Sequence, residues 1–518
     1  MTTAPAPTLE PPTGKRAERR PRRAARGAPR TPPAEPDTGA PTMRDIDHLW
    51  IDGTRTTPLE GTVEERTHPA DGSPTGRVVM GGAADVDRAV TAADRAFDHW
   101  SRTTPEERIA LLENLLVEFD RRADDLADAV TEDMGAPVTL ARGAHVPSGR
   151  TQIAGAIEAA RAHAFEERRG NTVIRHEPLG PAALITPWNF PVLQMAGKTA
   201  SALAAGCTVV LKPAESAARS AEVFAEVVHA AGTPAGVFNL VHGHGAVVGS
   251  ALAAHPGIGV VSFTGSLTTA VRVTTAAAPT MKRVLTELGG KSPQILLPDA
   301  DFDVAVGAVH RWMMAMTGQL CSAPSRTLVP RARMEEFLSV LVPSLEALTV
   351  GDPRDPATDM GPLVSEAQWN TVQGWIRRGL AEGARAVTGG PGKPEVAGGL
   401  EAGHYVRPTV LVDVTNDMAV AREEIFGPVM SVIPHDTVEE AIAIANDTPY
   451  GLAAYVVGAD RERVEEVASR VRAGAVLLND AELDWTAPWG GYKQSGNGRE
   501  FGVEGMLGFL ETKVIHGG

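Results

Sequence analysis

From about residue 181 the chain alternates short apolar runs with Ala-rich stretches of helical length, and few folds accept that alternation. The runs cover 182–185, 208–211, 238–241 and 260–263, and the stretches between them span about 193–205, 216–231 and 247–254. Strands joined through a helix run parallel. The pattern therefore predicts βαβ units, a parallel sheet, and ligands at the carboxyl ends of its strands. A second set of runs, at 295–297, 327–329, 429–432 and 476–478, predicts a second α/β domain. At 518 residues the chain is too long for one ordinary core, so two or three domains are expected.

Ahead of that region, Leu49-Trp50-Ile51-Asp52-Gly53 opens the folded part. Thr104-Pro105-Glu106-Glu107 reads as an N-cap, a first-position proline and a capping-box glutamate. Ile109, Leu112, Leu116 and Phe119 follow at helical spacing and predict one buried face. Residues 1–42 are different: rich in Pro, Ala and Arg, without an apolar period. Such a segment buries too little surface to offset chain entropy and is expected to be a disordered tail. It has no apolar h-region for a secretory signal, and its prolines and acidic residues weigh against a transit peptide. Met43 stands as an alternative start.

The balance of 49 Lys and Arg against 64 Asp and Glu gives a net charge of −15, which argues against nucleic acid as a partner; binding through the Arg-rich tail is the one reading that would restore it. No apolar stretch approaches the ~20 residues of a membrane span, so no membrane contact is expected. With two cysteines in the chain, Cys207 and Cys321, a disulfide framework or thiolate zinc site cannot organise the fold, and the 14 histidines show no ligand-like spacing. No metal is predicted. Without a signal peptide the expected location is the cytoplasm, where both thiols stay reduced.

Five segments could carry chemistry. Thr186-Pro187-Trp188-Asn189-Phe190-Pro191 follows a strand, and its prolines would hold the Asn189 amide in a fixed direction, suited to an oxyanion or simply to a rigid turn. Val209-Val210-Leu211-Lys212-Pro213-Ala214-Glu215 puts Lys212 and Glu215 at a strand end, as a ribose contact or a plain ion pair. Phe263-Thr264-Gly265-Ser266 offers backbone N–H groups at a helix start to a pyrophosphate, without being a G-x-G-x-x-G fingerprint. Glu287-Leu288-Gly289-Gly290 sets a carboxylate beside two glycines, where flexible backbone could bring it to water. Gly318-Gln319-Leu320-Cys321 ends in a thiol that reads equally as nucleophile or packing, whereas the apolar run around Cys207 reads as packing. A Walker-type loop and a Ser-His-Asp arrangement are absent from the sequence.

In this order, these segments resemble the aldehyde dehydrogenase superfamily, in its NAD(P)-dependent, non-acylating form. The likeness runs from about Trp50 to Val514 and includes Glu423-Glu424-Ile425-Phe426-Gly427-Pro428, Asn446-Asp447-Thr448-Pro449-Tyr450-Gly451, Pro488-Trp489-Gly490-Gly491 and Ser495-Gly496-Asn497-Gly498-Arg499-Glu500. The resemblance implies Cys321 as nucleophile, Glu287 as general base for deacylation, and Asn189 with the Cys321 backbone N–H around the oxyanion. It implies cofactor contacts from Trp188, Lys212, Glu215, Gly265, Ser266, Glu424 and Phe426, and a proton relay through Lys198 and Glu500. An acid at Glu215 would repel a 2′-phosphate, so NAD is expected over NADP. A thiol of pKa ~8.5 is mostly protonated at neutral pH, so the site must lower that value or supply a base.

The same resemblance implies an α/β fold with a Rossmann-like cofactor domain (43–158 and 178–288), a catalytic α/β domain (289–502) and a small β oligomerisation arm (159–177 and 503–518). The arm would pair a hairpin about Arg169-Gly170-Asn171 with a strand near 510–515 and build a homodimer or homotetramer. The partner in catalysis is a small-molecule aldehyde, met by Phe190, Gln194, Leu320, Ser322, Leu483 and Trp489, with Trp485 nearby; an aromatic or medium-chain aldehyde would suit them. The sequence departs from the family pattern at Met316 (often Asn), Ala270 (often Gly), Trp489 (commonly Phe) and Cys207 (commonly Asn). Transfer of the acyl group to coenzyme A, or a silent binding protein on this scaffold, are the competing readings; a kept Glu287 favours water as acceptor, and Asn189, Glu287 and Cys321 together favour catalysis.

Overall fold

The computed structural model describes residues 44–517; the tail 1–42, with the disorder and nucleic-acid readings attached to it, lies outside the described residues. The four leading apolar runs become the strands Ala182–Ile185, Val209–Lys212, Phe238–Leu240 and Val260–Gly265. With Arg283–Leu288 they run parallel in an eight-stranded sheet. Helices cover both faces of such a sheet, so its central strands read as near-continuous apolar runs instead of alternating, with Asn239, Ser262 and Thr264 among the polar exceptions. The antiparallel hairpin Leu49–Ile51 and Thr54–Thr56, turned by Asp52 and Gly53 at φ 57° and 73°, borders one side.

Strand order decides where this sheet can hold a ligand. From Ala182–Ile185 the chain steps outward through Val209–Lys212 to Phe238–Leu240, then returns to add Val260–Gly265 and Arg283–Leu288 on the other side. The switch point lies between Ala182–Ile185 and Val260–Gly265, and a crevice opens there beyond the carboxyl ends. Those ends are continued by Thr186–Asn189 and by Ser266.

The second sheet has seven strands, in the order Arg385–Thr388, Thr409–Val412, Val429–His435, Arg326–Pro330, Pro293–Leu296, Ala453–Val457 and Ala475–Leu478. All pairs are parallel except the first. A third sheet joins the hairpin Glu166–Arg169 and Thr172–Pro178 to the C-terminal strand Leu510–His516, and Gly170 at φ 61° makes the turn. The architecture is thus the expected α/β arrangement with a small β arm.

Thr104 caps the helix Pro105–Arg121, its side chain accepting from the Glu107 N–H while Glu107 returns the bond. The expected buried face needs correction. Leu111, Leu112, Leu115 and Phe119 are buried, while Ile109 and Leu116 are only half-buried. The helix packs against both Val146–Ala162 and Pro191–Ala205, so its apolar stripe is wider and rotated towards Leu111 and Leu115. A second finding concerns Gly496–Asn497, inside the range expected for the catalytic domain. It pairs antiparallel with Arg283–Leu288 and forms the edge of the first sheet, with Glu287 opposite Gly496.

Candidate active site

At the switch point lies a cavity of about 680 Å³. Trp188, Asn189 and Phe190 reach it from one strand end, and Gly265 and Ser266 from its neighbour. Glu287 comes from the strand Arg283–Leu288, Cys321 and Ser322 from a loop of the second sheet, and Glu424 and Phe426 from the loop before Val429. Gln194, Leu320, Leu483, Trp485 and Trp489 complete the walls among the expected residues. Lys212 and Glu215 stand apart from this cavity, at the end of the next strand. Lys198 and Glu500 lie behind its wall.

The nucleophile candidate sits on a rigid loop. Thr317 and Gly318 hold positive φ of 56° and 69°, and a Cβ on Gly318 would fall 2.0 Å from the Gly427 carbonyl oxygen, so only glycine permits this approach. The Gln319 side-chain oxygen accepts from the Val364 N–H at 3.0 Å, and the Tyr455 hydroxyl donates to the Ser322 carbonyl at 3.0 Å. The Asn189 amide donates to the Gln319 carbonyl at 3.0 Å. An amide carries two N–H groups, so this bond fixes the plane and leaves the second free to meet an oxyanion. The sequence offered no sign of the Gln319 contact.

The thiol is partly exposed to the cavity. Burial first, then Glu287 and Glu424, push it well above the ordinary thiol range, against the pull of the Cys321 and Ser322 N–H groups. The protein surroundings by themselves do not lower it. Of the two routes open to a cysteine nucleophile, the arrangement suits loss of the proton to a base. Cys207, by contrast, is fully buried in the core with its thiol near the Phe509 carbonyl at 3.4 Å, as a packing residue.

Glu287 does not ride on flexible backbone, which corrects the expectation drawn from the two glycines. It lies inside the strand Arg283–Leu288, 2% exposed, between two hydrogen-bonded neighbours. The glycines serve close packing instead. A Cβ on Gly289 would strike the Glu424 carboxylate at 2.0 Å, and one on Gly290 would meet the Cys321 carbonyl at 2.7 Å. Burial and then the Glu500 carboxylate raise the Glu287 carboxyl well above the usual range, while Trp489, Lys198 and Arg499 oppose them. The Trp489 indole donates to Glu287 Oε1 at 3.0 Å. The sequence placed Trp489 in the substrate wall, as a departure from the family's usual Phe; the missed signal was its N–H, which must find an acceptor when buried.

Lys198 is paired with Glu500 and donates to the Ser262 hydroxyl at 2.9 Å. Lys212 and Glu215 form an ion pair of 3.3 Å. Burial would raise the Glu215 carboxyl, but Lys212, its own backbone and the Gly245 N–H outweigh it and hold it below the usual range. Ser266 caps the helix Leu267–Ala277 by accepting from the Thr269 N–H. Glu424 accepts from the Gly290 N–H at 3.1 Å, and burial raises its carboxyl to about 7. Phe426, at φ 57°, sets its ring edge-on to Trp188 with centroids 5.5 Å apart. Among the described residues no group of three or more His, Cys, Asp or Glu is placed to hold a metal ion, and no helix is long and apolar enough to cross a membrane.

Comparison with known proteins bears on this constellation. A sequence model described as the aldehyde dehydrogenase family matches residues 57–515. A 3-succinoylsemialdehyde-pyridine dehydrogenase from a Pseudomonas species is 48% identical over 476 residues, 92% of this chain and 99% of that protein. Among solved structures, a mutant of aldehyde dehydrogenase C from Pseudomonas syringae, complexed with NAD+ and octanal, shares 48% identity. It superposes with a TM-score of 0.89, covering 91% of this chain and 97% of the other. An aldehyde dehydrogenase from Mycobacterium tuberculosis complexed with NAD+ gives 39% identity and a TM-score of 0.88, covering 92% and 99%.

Proposed function

Because this chain belongs to the aldehyde dehydrogenase family, we propose that it oxidises an apolar aldehyde to the carboxylic acid with NAD, through Cys321, Glu287 and Asn189. One observation carries the reading: these three side chains line a single cavity with Gly265, Ser266 and Glu424 at the switch point of a parallel sheet. In this assignment a cofactor domain (43–158 and 178–288) holds NAD, a catalytic domain (289–502) supplies the nucleophile, and 159–177 with 503–518 serves assembly.

The residues fit a dinucleotide. Glu424 is a half-buried carboxyl with one backbone donor, seated against Gly289, where a Cβ would take its place. It can accept from ribose hydroxyls. Gly265 and Ser266 present a helix start to a pyrophosphate, and Lys212 and Glu215 serve the adenosine ribose. Held as an anion, Glu215 disfavours a 2′-phosphate, so NAD fits better than NADP. When bound, NAD supplies the acceptor for the hydride.

The Cys321 thiol gives up its proton to water in the cavity as the sulfur attacks the carbonyl carbon, and the aldehyde oxygen takes the charge between the free Asn189 N–H and the Cys321 backbone N–H. Losing one such donor typically costs ~10²–10³ in rate. Departure of hydride leaves a thioester on Cys321. Glu287 then takes a proton from water, whose oxygen attacks the thioester; the C–S bond breaks, the acid leaves, and the proton returns from Glu287 to the sulfur to restore the thiol. A nucleophilic thiol works only when reduced, which suits the cytoplasm.

Aromatic and aliphatic walls (Phe190, Leu320, Leu483, Trp485, Trp489) favour an aromatic or medium-chain aldehyde. The succinoyl-pyridine aldehyde of one relative and the octanal of another are of that kind. A panel of aldehydes scored by NADH release should rank benzaldehyde-like and C6–C10 substrates above short polar ones. A flat ranking, or a coenzyme A thioester formed in place of the free acid, would overturn this assignment.

The arm points to assembly. The outer strands of its sheet, Glu166–Arg169 and Leu510–His516, have no further strand beside them among the described residues, and Val514 and Ile515 are 49% and 37% exposed. Edges of this kind are usually covered. Val514→Asp with Ile515→Asp should reduce the solution mass measured by light scattering from dimer or tetramer to the 54.4 kDa single chain; an unchanged mass would count against the arm.

A further inference from the structure

Glu287 is asked to take a proton, yet one of its oxygens is already engaged. The Trp489 indole donates to Oε1 at 3.0 Å, and Oε2 is buried with no partner. Among the described residues this indole is the one hydrogen-bond donor to the Glu287 side chain. An indole N–H donates only and cannot accept a proton. It can orient the carboxylate and favour its charged form, but it cannot take part in the transfer.

The indole itself is firmly placed. Trp489 is 8% exposed, and its backbone makes both bonds of an antiparallel bridge with Glu500, at 2.8 and 2.7 Å. Glu500 is in turn paired with Lys198, which also donates to Ser262. The next residue, Gly490, has φ 155°, and a Cβ there would approach the Gly498 carbonyl at 2.8 Å, so the turn after Trp489 is tightly closed. The donor is thus carried on a braced segment, while the carboxylate it holds stands on a central-sheet strand.

We propose that Trp489 is the positioning residue of the general base: its N–H pins Oε1 of Glu287, leaves Oε2 as the oxygen that receives the proton from water, and sets the pH at which that oxygen works. This inference rests on the assignment of Glu287 as the deacylating base. The other groups facing Glu287 are the Glu500 carboxylate, the Lys198 ammonium, the Arg499 guanidinium and the Cys321 thiol. Lys198 spends its charge largely on Glu500. None of these touches the carboxylate directly, so the indole is the contact whose removal changes the base most.

Trp489→Phe keeps the ring packing and deletes the N–H. A hydrogen bond to a charged acceptor is lost, which corresponds to roughly one to two pH units. Because the bond favours the anion, its loss raises the Glu287 carboxyl further. The rising limb of steady-state turnover should move to higher pH by about that amount, a shift that any change in aldehyde binding from the altered wall does not produce and that the first-turnover burst of NADH does not share. In Glu287→Gln, adding Trp489→Phe should slow steady-state turnover no further, since both changes strike one unit. A limb that stays within ~0.3 pH units, or additive losses in the double variant, would overturn the proposal.

A packing role alone would lower burst and steady state together without moving the limb, which also counts against it. The base assignment fails separately, if Glu287→Gln itself keeps normal steady-state turnover. Should Trp489→Phe not fold, the pH titration of tryptophan absorbance in the unmodified protein and in Glu287→Gln decides. A tryptophan signal that titrates only in the former supports the contact; identical titrations refute it.

Discussion

Cys321→Ala is expected to reduce aldehyde oxidation by about 10⁶-fold, the scale on which a covalent nucleophile counts, while the affinity for NAD changes little. The asymmetry follows from placement. Cys321 hangs on a loop of the second sheet, pinned by Gln319, Tyr455 and the close approach of Gly318 to Gly427. The proposed dinucleotide contacts come from the first sheet and from Glu424 and Phe426. Removing one sulfur leaves both scaffolds intact, so equilibrium dialysis with NAD should return a Kd within a few-fold of the original. Turnover that survives in the alanine variant would sink the nucleophile assignment, and loss of NAD binding would mean that the two scaffolds are coupled more tightly than their contacts indicate.

Glu287→Gln should separate the two halves of the reaction. Attack by sulfur and loss of hydride precede any need for an activated water, so rapid mixing should still show a burst of NADH. The following steady state should fall by roughly 10²–10⁴-fold, the usual contribution of a positioned base. The pH profile carries a second signature. Glu287 serves only when deprotonated, and burial with the nearby Glu500 raises its carboxyl well above the ordinary range. Turnover limited by deacylation therefore climbs as pH rises through that raised value, and the glutamine variant should lose this limb. Equal loss of burst and steady state would assign the base to another group.

Much of this could be read from the chain. Buried parallel strands are largely apolar, so the runs at 182–185 and 260–263 announced a parallel sheet with ligands at its strand ends, while the strand order and its switch point came only with the structure. Thr104 and Glu107 announced a helix start because a cap is a local affair. Residues that line the cavity were legible where a turn or a proline marked them locally, as at Asn189, or where family motifs marked them, as at Cys321 and Glu424. What escaped was set by contacts between distant segments. Whether Glu287 lay on loop or strand depended on Val260–Gly265 and Gly496–Asn497 pairing on its two sides. The stripe on Pro105–Arg121 depended on which helices pack against it, and neither partner is visible in its own periodicity. The contact of Trp489 with Glu287 joins residues from two strand systems, and local sequence shows only that a donor must end somewhere.

The closing strand Gly496–Asn497 has a consequence in time as well as in space. Asn189, Glu287 and Cys321 leave the ribosome long before the segment that walls their pocket, and a contact made across so much chain forms late. A nascent or clipped chain ending before Trp489 would own every reacting atom and still lack the edge of its sheet, the partner of Lys198 and the donor on Glu287. Aldehyde chemistry would then begin only on finished molecules, and C-terminal trimming would silence the protein without touching a reacting group.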